Sequence, residues 1–316
     1  MWIRKLLCLL IAMALSTSAL AQQYFRIGTG GTAGTYFPIG VLIAGAVSQA
    51  GKIAVSAQSS NGSLGNVIGV ASGSLESGFS QADVATWAQT GTGIFEGRPR
   101  LSGLRLIANL YPESIHIVVK KDAGIRSIAD LRGKRVALDE VGSGTLISAR
   151  QVLAAYGLKE SDLKPEYIKP NQAGDKLKSG TLDAFFFTGG TPAVGIAELA
   201  ASGVGISLLT IDGEAAQRLR SASPFLFSDT ITADTYKGVP ATATLAVGAQ
   251  WITSDKVDAE LVYQITKTLY GKAAQEALLN GHPKGRFITL ANAVQGVGIP
   301  FHPGAQRYFK EQGVLK

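Results

Sequence analysis

The residues of this chain best suited to chemistry lie in one glycine-rich stretch, residues 28–36, which reads GTGGTAGTY. Four glycines in its first seven positions let the backbone come close to another molecule, and Thr29, Thr32 and Thr35 add hydroxyl groups without charge. An apolar-alternating run precedes the stretch and a helical pattern follows it, which is typical of a strand, a loop and a helix. Unpaired N–H groups and the helix dipole attract anions to such a helix start. The stretch therefore predicts the floor of a small-anion site.

A dinucleotide site is the main alternative for this stretch. Gly28, Gly30 and Ala33 satisfy the pattern G-x-G-x-x-G/A after a strand. Such a site also needs an acidic residue about 20 positions further on to hold the ribose, and the sequence has none between Thr35 and Leu75. We therefore reject a dinucleotide cofactor, whereas a tight turn without any ligand stays open.

Patterns for catalysis and metal binding are weak. Ser143 lacks the glycine two positions before it that a nucleophile elbow requires. Asp139 and Glu140 border a second glycine loop, where we expect solvated side chains. No histidine shares metal-ligand spacing with a carboxylate, so we expect all three to be structural: His116, His282 and His302. The sequence predicts a protein that is not an enzyme and that uses no metal and no cofactor.

The N-terminus has the pattern of a secretory signal peptide. Two basic residues precede an apolar run, 6–15, and the sequence ALA ends at Ala21, which is typical of a cleavage site. We predict a signal peptide over residues 1–21, cleavage after Ala21 and a mature protein in the periplasm. The only cysteine, Cys8, lies in this segment, so the mature chain has no thiolate and no disulfide.

The predicted mature chain is mildly basic. Removing Arg4 and Lys5 from the 30 Lys and Arg residues leaves 28 against 23 acidic residues, a net charge of +5. The basic residues are scattered and form no stripe interleaved with aromatic residues, so we expect no nucleic-acid partner. A charge of this size helps to draw in anions but does not identify one.

Strand and helix patterns alternate along the mature chain, which predicts parallel sheets with helices on both faces. Strands are predicted at 52–57 and 76–80, and each ends in a small polar segment. Two further glycine loops, at 141–145 and 188–192, also follow predicted strands. Ligands in open α/β sheets bind beyond the carboxyl ends of the strands. We therefore expect these polar loops to gather along one rim.

The length of the mature chain predicts two lobes with two crossings between them. Strands at 104–109 and 114–119 flank a break where we place the first crossing, and a long apolar strand, 241–252, makes the second. We expect the segment 223–238 at the surface, Pro192 in the first turn of a helix, and the C-terminal helices against the first lobe. With these crossings, lobe I comprises residues 22–112 and 241–316, and lobe II comprises residues 113–240. The predicted signal peptide, 1–21, precedes both.

Several separated motifs together resemble the TAXI family of TRAP-transporter solute-binding proteins. The resemblance covers essentially the whole mature chain, and its motifs in order are GTGGTAGTYFPIG, NGSLGN at 61–66, SQAD at 80–83, LYPE at 110–113, GSGT at 142–145 and DAFFFTGGTP at 183–192. It implies an α/β fold of the two-lobe, type II periplasmic-binding-protein class, with a hinge and a ligand cleft between the lobes.

The resemblance also implies a function. The protein would be a periplasmic receptor that closes on a small organic anion or amino acid, such as glutamate, glutamine or a dicarboxylate like 2-oxoglutarate. It would deliver this solute to a membrane TRAP permease driven by an ion gradient and would do no chemistry of its own. A monomer is the default for a receptor that must open and close.

Matched position by position, the resemblance implies ligand contacts in both lobes. Tyr111 and Glu113 would lie at the hinge or rim, where Glu113 could orient a ligand ammonium, and Phe37 stands where relatives often carry a second tyrosine. The implied contacts of lobe I are Thr32, Thr35, Tyr36, Asn61, Ser63 and Gln81, and those of lobe II are Ser143, Gly144, Thr145, Thr188 and Gly189.

Two other functions stay open at this point. The same fold could serve as a ligand sensor for a membrane kinase or as a scaffold for another protein. A periplasmic enzyme could use Glu113 or Asp139 as its acid or base.

Overall fold

A computed structural model describes residues 22–49 and 52–316, so the predicted signal peptide and its cleavage site lie outside the described residues. Within the described part, no helix has the length and apolar character needed to span a membrane. The strands are β1 Gln23–Gly28, β2 Ile53–Gln58, β3 Ser77–Gln81, β4 Leu104–Lys120, β5 Arg135–Ala137, β6 Lys164–Glu166, β7 Ala184–Gly189, β8 Ile206–Leu208, β9 Phe227–Ile231 and β10 Thr242–Ser254. The α-helices are α1 Tyr36–Val47, α2 Ser63–Ser72, α3 Ala82–Thr90, α4 Gly144–Ala155, α5 Pro170–Ser179, α6 Val194–Ala201, α7 Gly213–Ala222, α8 Ala259–Leu269, α9 Lys272–Gly281, α10 Leu290–Ala293 and α11 Pro303–Glu311. Short 3₁₀ helices lie at Gly93–Phe95, Ile128–Leu131, Glu160–Asp162 and Pro283–Phe287.

The strands form one mixed sheet in the order β2-β1-β3-β10-β4-β7-β5-β6, with β8 beside β4 and β9 beside β10. At one end β1 pairs in parallel with β2 and β3, and at the other end β5 pairs in parallel with β6 and β7. Between them, β4 and β10 run antiparallel to each other and to their outer neighbours. We call the β1–β3 end lobe I and the β5–β7 end lobe II. The predicted α/β, two-lobe architecture is confirmed.

The long strands β4 and β10 join the lobes. Their pairing extends from Leu104 in lobe I to Ser114, where β4 begins to pair with β7 of lobe II. The predicted break in this region is wrong, because β4 is a single strand through LYPE. Pro112 pairs opposite Gly248, and the register between the two strands shifts after Ala249 and again after Trp251. This topology does not test the residue boundaries predicted for the lobes, which stay a prediction.

Each lobe has apolar residues packed on both faces of its sheet, which is why strands such as β7 read as continuous apolar runs. In lobe I, the rings of Phe25 and Phe79 each pack edge to face against Trp251. Leu269 of α8 and Phe309 of α11 belong to the same buried cluster. The prediction that the C-terminal helices pack on the first lobe is therefore confirmed.

The segment 223–238 lies largely at the surface, as predicted, whereas the prediction for Pro192 is wrong. The segment 223–238 contains β9, which pairs with β10. Because β9 has a neighbour on one side only and most of its residues are at least partly exposed, its sequence lacks the apolar alternation that reveals a strand. Pro192 precedes α6 instead of lying in its first turn, since the backbone stays extended at Ala193 and the helix begins at Val194.

Candidate functional site

A cavity of about 50 Å³ lies where segments at the strand ends of the two lobes meet. Lobe I contributes the loop after β1 and the end of β3, and lobe II contributes the segment after β5 and the end of β7. Helices α1, α2 and α4 begin at cavity residues, and α3 begins directly after one. These helix starts favour negative charge through backbone groups alone. Since one water needs roughly 10–15 Å³ of such space, the cavity admits only a small molecule.

Ten of the eleven residues predicted to bind ligand line this cavity. Thr32 is the exception, because it lies exposed in a turn at the tip of its loop. The backbone of the same loop reaches the cavity at Gly30, Gly31 and Gly34 instead. The ten residues brought together are Thr35, Tyr36, Asn61, Ser63, Gln81, Ser143, Gly144, Thr145, Thr188 and Gly189.

Hydrogen bonds fix the hydroxyl groups of lobe II at the start of α4. Ser143 caps the helix, because its Oγ accepts a bond of 3.0 Å from the Leu146 N–H. The Thr145 hydroxyl accepts a bond of 3.0 Å from the N–H of Thr188 on β7. These bonds hold the α4 start against the end of β7 and set the direction of both hydroxyls.

Two buried polar atoms at the cavity have no hydrogen-bond partner among the described residues. They are Gln81 Oε1 and Thr188 Oγ1. Buried polar atoms are normally paired, so both are candidates to bond a solute. Gln81 faces Gly144 so closely that a Cβ atom at residue 144 would lie 2.5 Å from Gln81 Oε1 and 2.6 Å from Ser63 Oγ. A side chain at this first position of α4 would therefore displace Gln81 and Ser63 from their places in the cavity wall.

Glu113 places a buried carboxyl group in the cavity wall, deeper than the hinge or rim position predicted for it. It is 2% exposed, and its Oε2 accepts a bond of 2.7 Å from the Tyr36 hydroxyl. Burial raises the pKa of Glu113 to about 8 and outweighs the lowering effect of the Tyr36 bond. A positively charged group bound beside it would stabilise its ionised form.

Asp139 and Glu140 also line the cavity, and the expectation of solvated side chains is wrong for Asp139. A left-handed backbone, with φ 71°, turns the chain after β5, and Asp139 Oδ1 accepts a bond from the Glu140 N–H. Asp139 is 8% exposed, and burial raises its pKa to about 6. Glu140 is partly buried and lies 3.5 Å from the Lys169 ammonium. None of the described residues that line the cavity is a lysine or arginine.

The lobes also bond to each other directly around the cavity. Thr35 Oγ1 donates to the Gly190 carbonyl at 2.6 Å. The N–H groups of Leu64 and Gly65, at the start of α2, donate to the Gly142 carbonyl at 3.0 and 3.1 Å. The N-cap of α2 is Gly62, which has no side chain to accept these bonds. Lobe II therefore supplies the hydrogen-bond acceptor that the start of α2 lacks. These bonds between the lobes stabilise the closed arrangement without any contribution from a solute.

The histidines lie in structural positions, and no group of three or more possible metal ligands occurs in residues 22–49 and 52–316. His116 is buried, with Nε2 2.9 Å from the Tyr236 hydroxyl. The Nδ1 atoms of His282 and His302 accept bonds from backbone N–H groups at helix starts.

Comparison with known families and curated proteins gives two matches. A model of the NMT1-like family matches residues 27–313. A curated protein of Escherichia coli (strain K12), named for the binding of aliphatic sulfonates, is 32% identical over 74 residues. This second match covers 23% of this chain and 23% of the length of that protein, so it is a local similarity.

Solved structures share the fold over most of the chain. PhnD1 from Prochlorococcus marinus (MIT 9301), in complex with methylphosphonate, matches with a TM-score of 0.54 and 10% identity, over 93% of this chain and 99% of that one. A substrate-binding protein of an ABC uptake transporter from Streptococcus pneumoniae, with bound histidine, has a TM-score of 0.51 and 17% identity, over 86% and 97%. The periplasmic aliphatic sulphonate binding protein SsuA from Escherichia coli has a TM-score of 0.50 and 17% identity, over 92% and 84%. At these identities the likeness establishes the two-lobe fold of periplasmic binding proteins.

Proposed function

Because the chain belongs to the NMT1-like family and has the two-lobe fold of periplasmic binding proteins, we propose that it is a periplasmic receptor for a small carboxylate. It holds this solute between its lobes and delivers it to a TRAP permease driven by an ion gradient. One observation carries the proposal: the polar cavity draws its lining from both lobes, so a bound solute favours the closed arrangement by its contacts to each.

The carboxylate end of the solute is held by backbone N–H groups and hydroxyls. The starts of α1 and α4 and the hydroxyls of Ser63 and Thr145 line the cavity. Each hydrogen bond to a charged group contributes roughly 1.5 to 3 kcal/mol. A carboxylate can therefore be held without an arginine.

The acidic residues narrow the solute to one that also carries an amino group. Glu113, Asp139 and Glu140 line the cavity, and no lysine or arginine does so in the described part of the chain. An ammonium group beside Glu113 offsets the cost of its buried charge, and 2-oxoglutarate has no such group. We therefore favour glutamate or glutamine over 2-oxoglutarate.

A sulfonate is the competing solute class, because of the local similarity to the sulfonate-binding protein of Escherichia coli. Helix starts and hydroxyls suit a sulfonate as well as a carboxylate. The same acidic residues then favour an aminosulfonate such as taurine over a simple alkanesulfonate.

A thermal-shift screen of the refolded, ligand-free mature protein tests the proposal with matched pairs of compounds. The pairs are glutamate with glutarate and taurine with ethanesulfonate, and glutamine and 2-oxoglutarate complete the panel. A solute at 100 times its Kd adds about 2.7 kcal/mol of stability, a rise in Tm of roughly 5 to 10 °C. A response to glutamate but not to glutarate supports the amino carboxylate. A response confined to the sulfonate pair would replace the carboxylate proposal, and silence across the panel would reject both classes.

The site assignment is tested with Ser63→Ala and Thr145→Ala. We expect each to weaken binding of the solute found in the screen by about tenfold, through the loss of one charged hydrogen bond, while the protein stays folded. Thr230→Ala is the matched control, because Thr230 is exposed on β9 and outside the cavity. Unchanged affinity in both cavity variants, measured by calorimetry, would reject these residues as ligand contacts.

The permease partner and the TAXI family are supported by the sequence motifs alone, and the monomeric state is the default for a receptor that must open and close. A TRAP permease gene beside this gene supports the transport role, whereas a membrane kinase gene in its place supports the sensor. Turnover of the bound solute, lost in Glu113→Gln or Asp139→Asn, would support the enzyme instead. Light scattering of the purified mature chain measures the oligomeric state.

A further inference from the structure

A second cavity, much larger than the first, lies beside the strands that join the lobes. Its volume is about 500 Å³, within the range of about 300–1,000 Å³ usual for small-molecule sites. Residues 109–112 of β4 and Gly248 of β10 line it. Phe225 and Phe227 line it from lobe II, and the C-terminal part of lobe I adds Phe287 and Val297. We call this cavity the hinge pocket.

The walls of the hinge pocket are aromatic, amide-bearing and uncharged. Its aromatic residues are Tyr111, Phe225, Phe227 and Phe287, and among the described residues no lysine, arginine, aspartate, glutamate or histidine lines it. Phe227 and Val297 are 43% and 39% exposed, unusually high fractions for large apolar side chains. Uncharged walls give an ion no partner, so a charged ligand would lose its hydration without compensation.

Amide groups supply the directional contacts of the hinge pocket. Asn109, Asn292 and Gln295 line it. The Asn292 amide donates to the Phe287 carbonyl at 2.9 Å, so its position is fixed. Fixed amides beside apolar and aromatic walls are typical of sites for uncharged organic molecules.

We propose that the hinge pocket binds a small, uncharged organic molecule that carries an aromatic ring. The ring packs between the aromatic side chains, and a polar edge of the molecule bonds the amides. This site is separate from the solute cavity and does not depend on which solute that cavity takes.

The position of the hinge pocket links it to the solute cavity. Gln81 lines the solute cavity and its neighbour Ala82 lines the hinge pocket, and the same holds for Glu113 and its neighbour Pro112. A molecule in the hinge pocket also contacts both lobes, so its affinity differs between the open and closed arrangements. Binding at the two sites is therefore coupled, and the coupling is reciprocal.

The test uses the neutral fluorescent probe N-phenyl-1-naphthylamine and the full mature protein. We expect saturable binding of one probe molecule. Val297→Trp fills the pocket and Phe227→Ala removes one aromatic wall, and we expect Kd to rise by about tenfold or more for the first and severalfold for the second. Val41→Trp is the matched control, because Val41 is 49% exposed on α1 and outside both cavities. It should leave Kd within about twofold of wild type.

Thermal unfolding of each variant shows that it is folded before the probe is added. Non-saturable binding to the wild-type protein would overturn the proposal, and so would equal loss of binding in the Val41→Trp control. Binding that Val297→Trp and Phe227→Ala leave unchanged, but that glutamate displaces, would place the probe in the solute cavity and also overturn it. Because the titration needs no solute, failure of the receptor proposal does not affect its outcome.

Discussion

The carboxyl group of Glu113 gives the ligand-free protein a pH-dependent stability. Its pKa in the folded protein is about 8, above the ordinary value of 4.5, because it is buried. The folded state therefore keeps a proton that the unfolded chain loses as the pH rises from 4.5 to 8. The free energy of unfolding falls over this range, by at most about 1.4 kcal/mol per pH unit.

We expect Glu113→Gln to flatten this fall between about pH 7 and 8. In that interval Asp83 and Asp139, each with a pKa of about 6, are largely ionised in both states. Burial lowers the pKa of each histidine, so the histidines stay neutral when folded. Urea unfolding at several pH values measures the slope, with Asp139→Asn as a control that keeps it. Equal slopes in the wild type and Glu113→Gln would contradict the raised pKa.

Individual site residues were predictable where a strand end and a glycine loop fix the backbone. Tyr36, Ser63 and Thr145 lie at such positions, and all line the cavity. The sequence alone could not exclude Thr32 as a ligand contact, because the tip and the base of this glycine loop contain the same residue types. The burial of Asp139 depends on residues distant in sequence. The one sequence feature that pointed to a buried Asp139 was its position between the end of a strand and a glycine loop.

At the scale of elements, the Gly142 carbonyl caps α2 across the cleft, and we expect Gly142→Ala to weaken solute binding. Gly142 has φ 98°, so a side chain strains the loop that holds this carbonyl. Since strain of this kind costs roughly 1–3 kcal/mol, and part of it falls on closure, we expect affinity to drop by about tenfold. Calorimetry with the solute found in the screen measures the change.

Gly133→Ala is the control for this variant. Gly133 also has a positive φ, 73°, and a Cβ atom there meets nothing within 4 Å. It carries a similar backbone penalty far from the cleft, so stability should fall while solute affinity stays unchanged. Equal losses of affinity in Gly133→Ala and Gly142→Ala would reject a specific role for the Gly142 carbonyl.

Elements were predicted best where their apolar pattern is strong and local. The strand, loop and helix around residues 28–36 form as expected, with β1 ending at Gly28 and α1 starting at Tyr36. The LYPE segment was predicted to be a break between two strands, yet its pairing with β10, a partner far away in sequence, keeps β4 continuous. Edge strand β9 was missed because exposure removes the apolar pattern.

At the scale of the whole molecule, we expect the two lobes to unfold in one transition. Strand β10 pairs with β3 of lobe I, β4 pairs with β7 of lobe II, and β4 and β10 pair with each other between them. Loss of either lobe therefore removes a neighbouring strand from this shared central pair. Scanning calorimetry should show one peak, with equal calorimetric and van't Hoff enthalpies. Two resolved peaks would show that the lobes unfold independently.

The path of the chain through the lobes also determines when each core can form during synthesis. Phe25, near the start of the described chain, and Phe309, near its end, belong to one buried cluster. A growing chain therefore cannot complete the core of lobe I until Phe309 has been made, whereas the strands and helices from β5 to α7 follow one another without interruption. The N-terminal segments of lobe I therefore stay incompletely packed until the C-terminal segments have been synthesised. If the chain is exported as its N-terminal pattern predicts, this delay keeps it in the unfolded form that a secretion channel accepts.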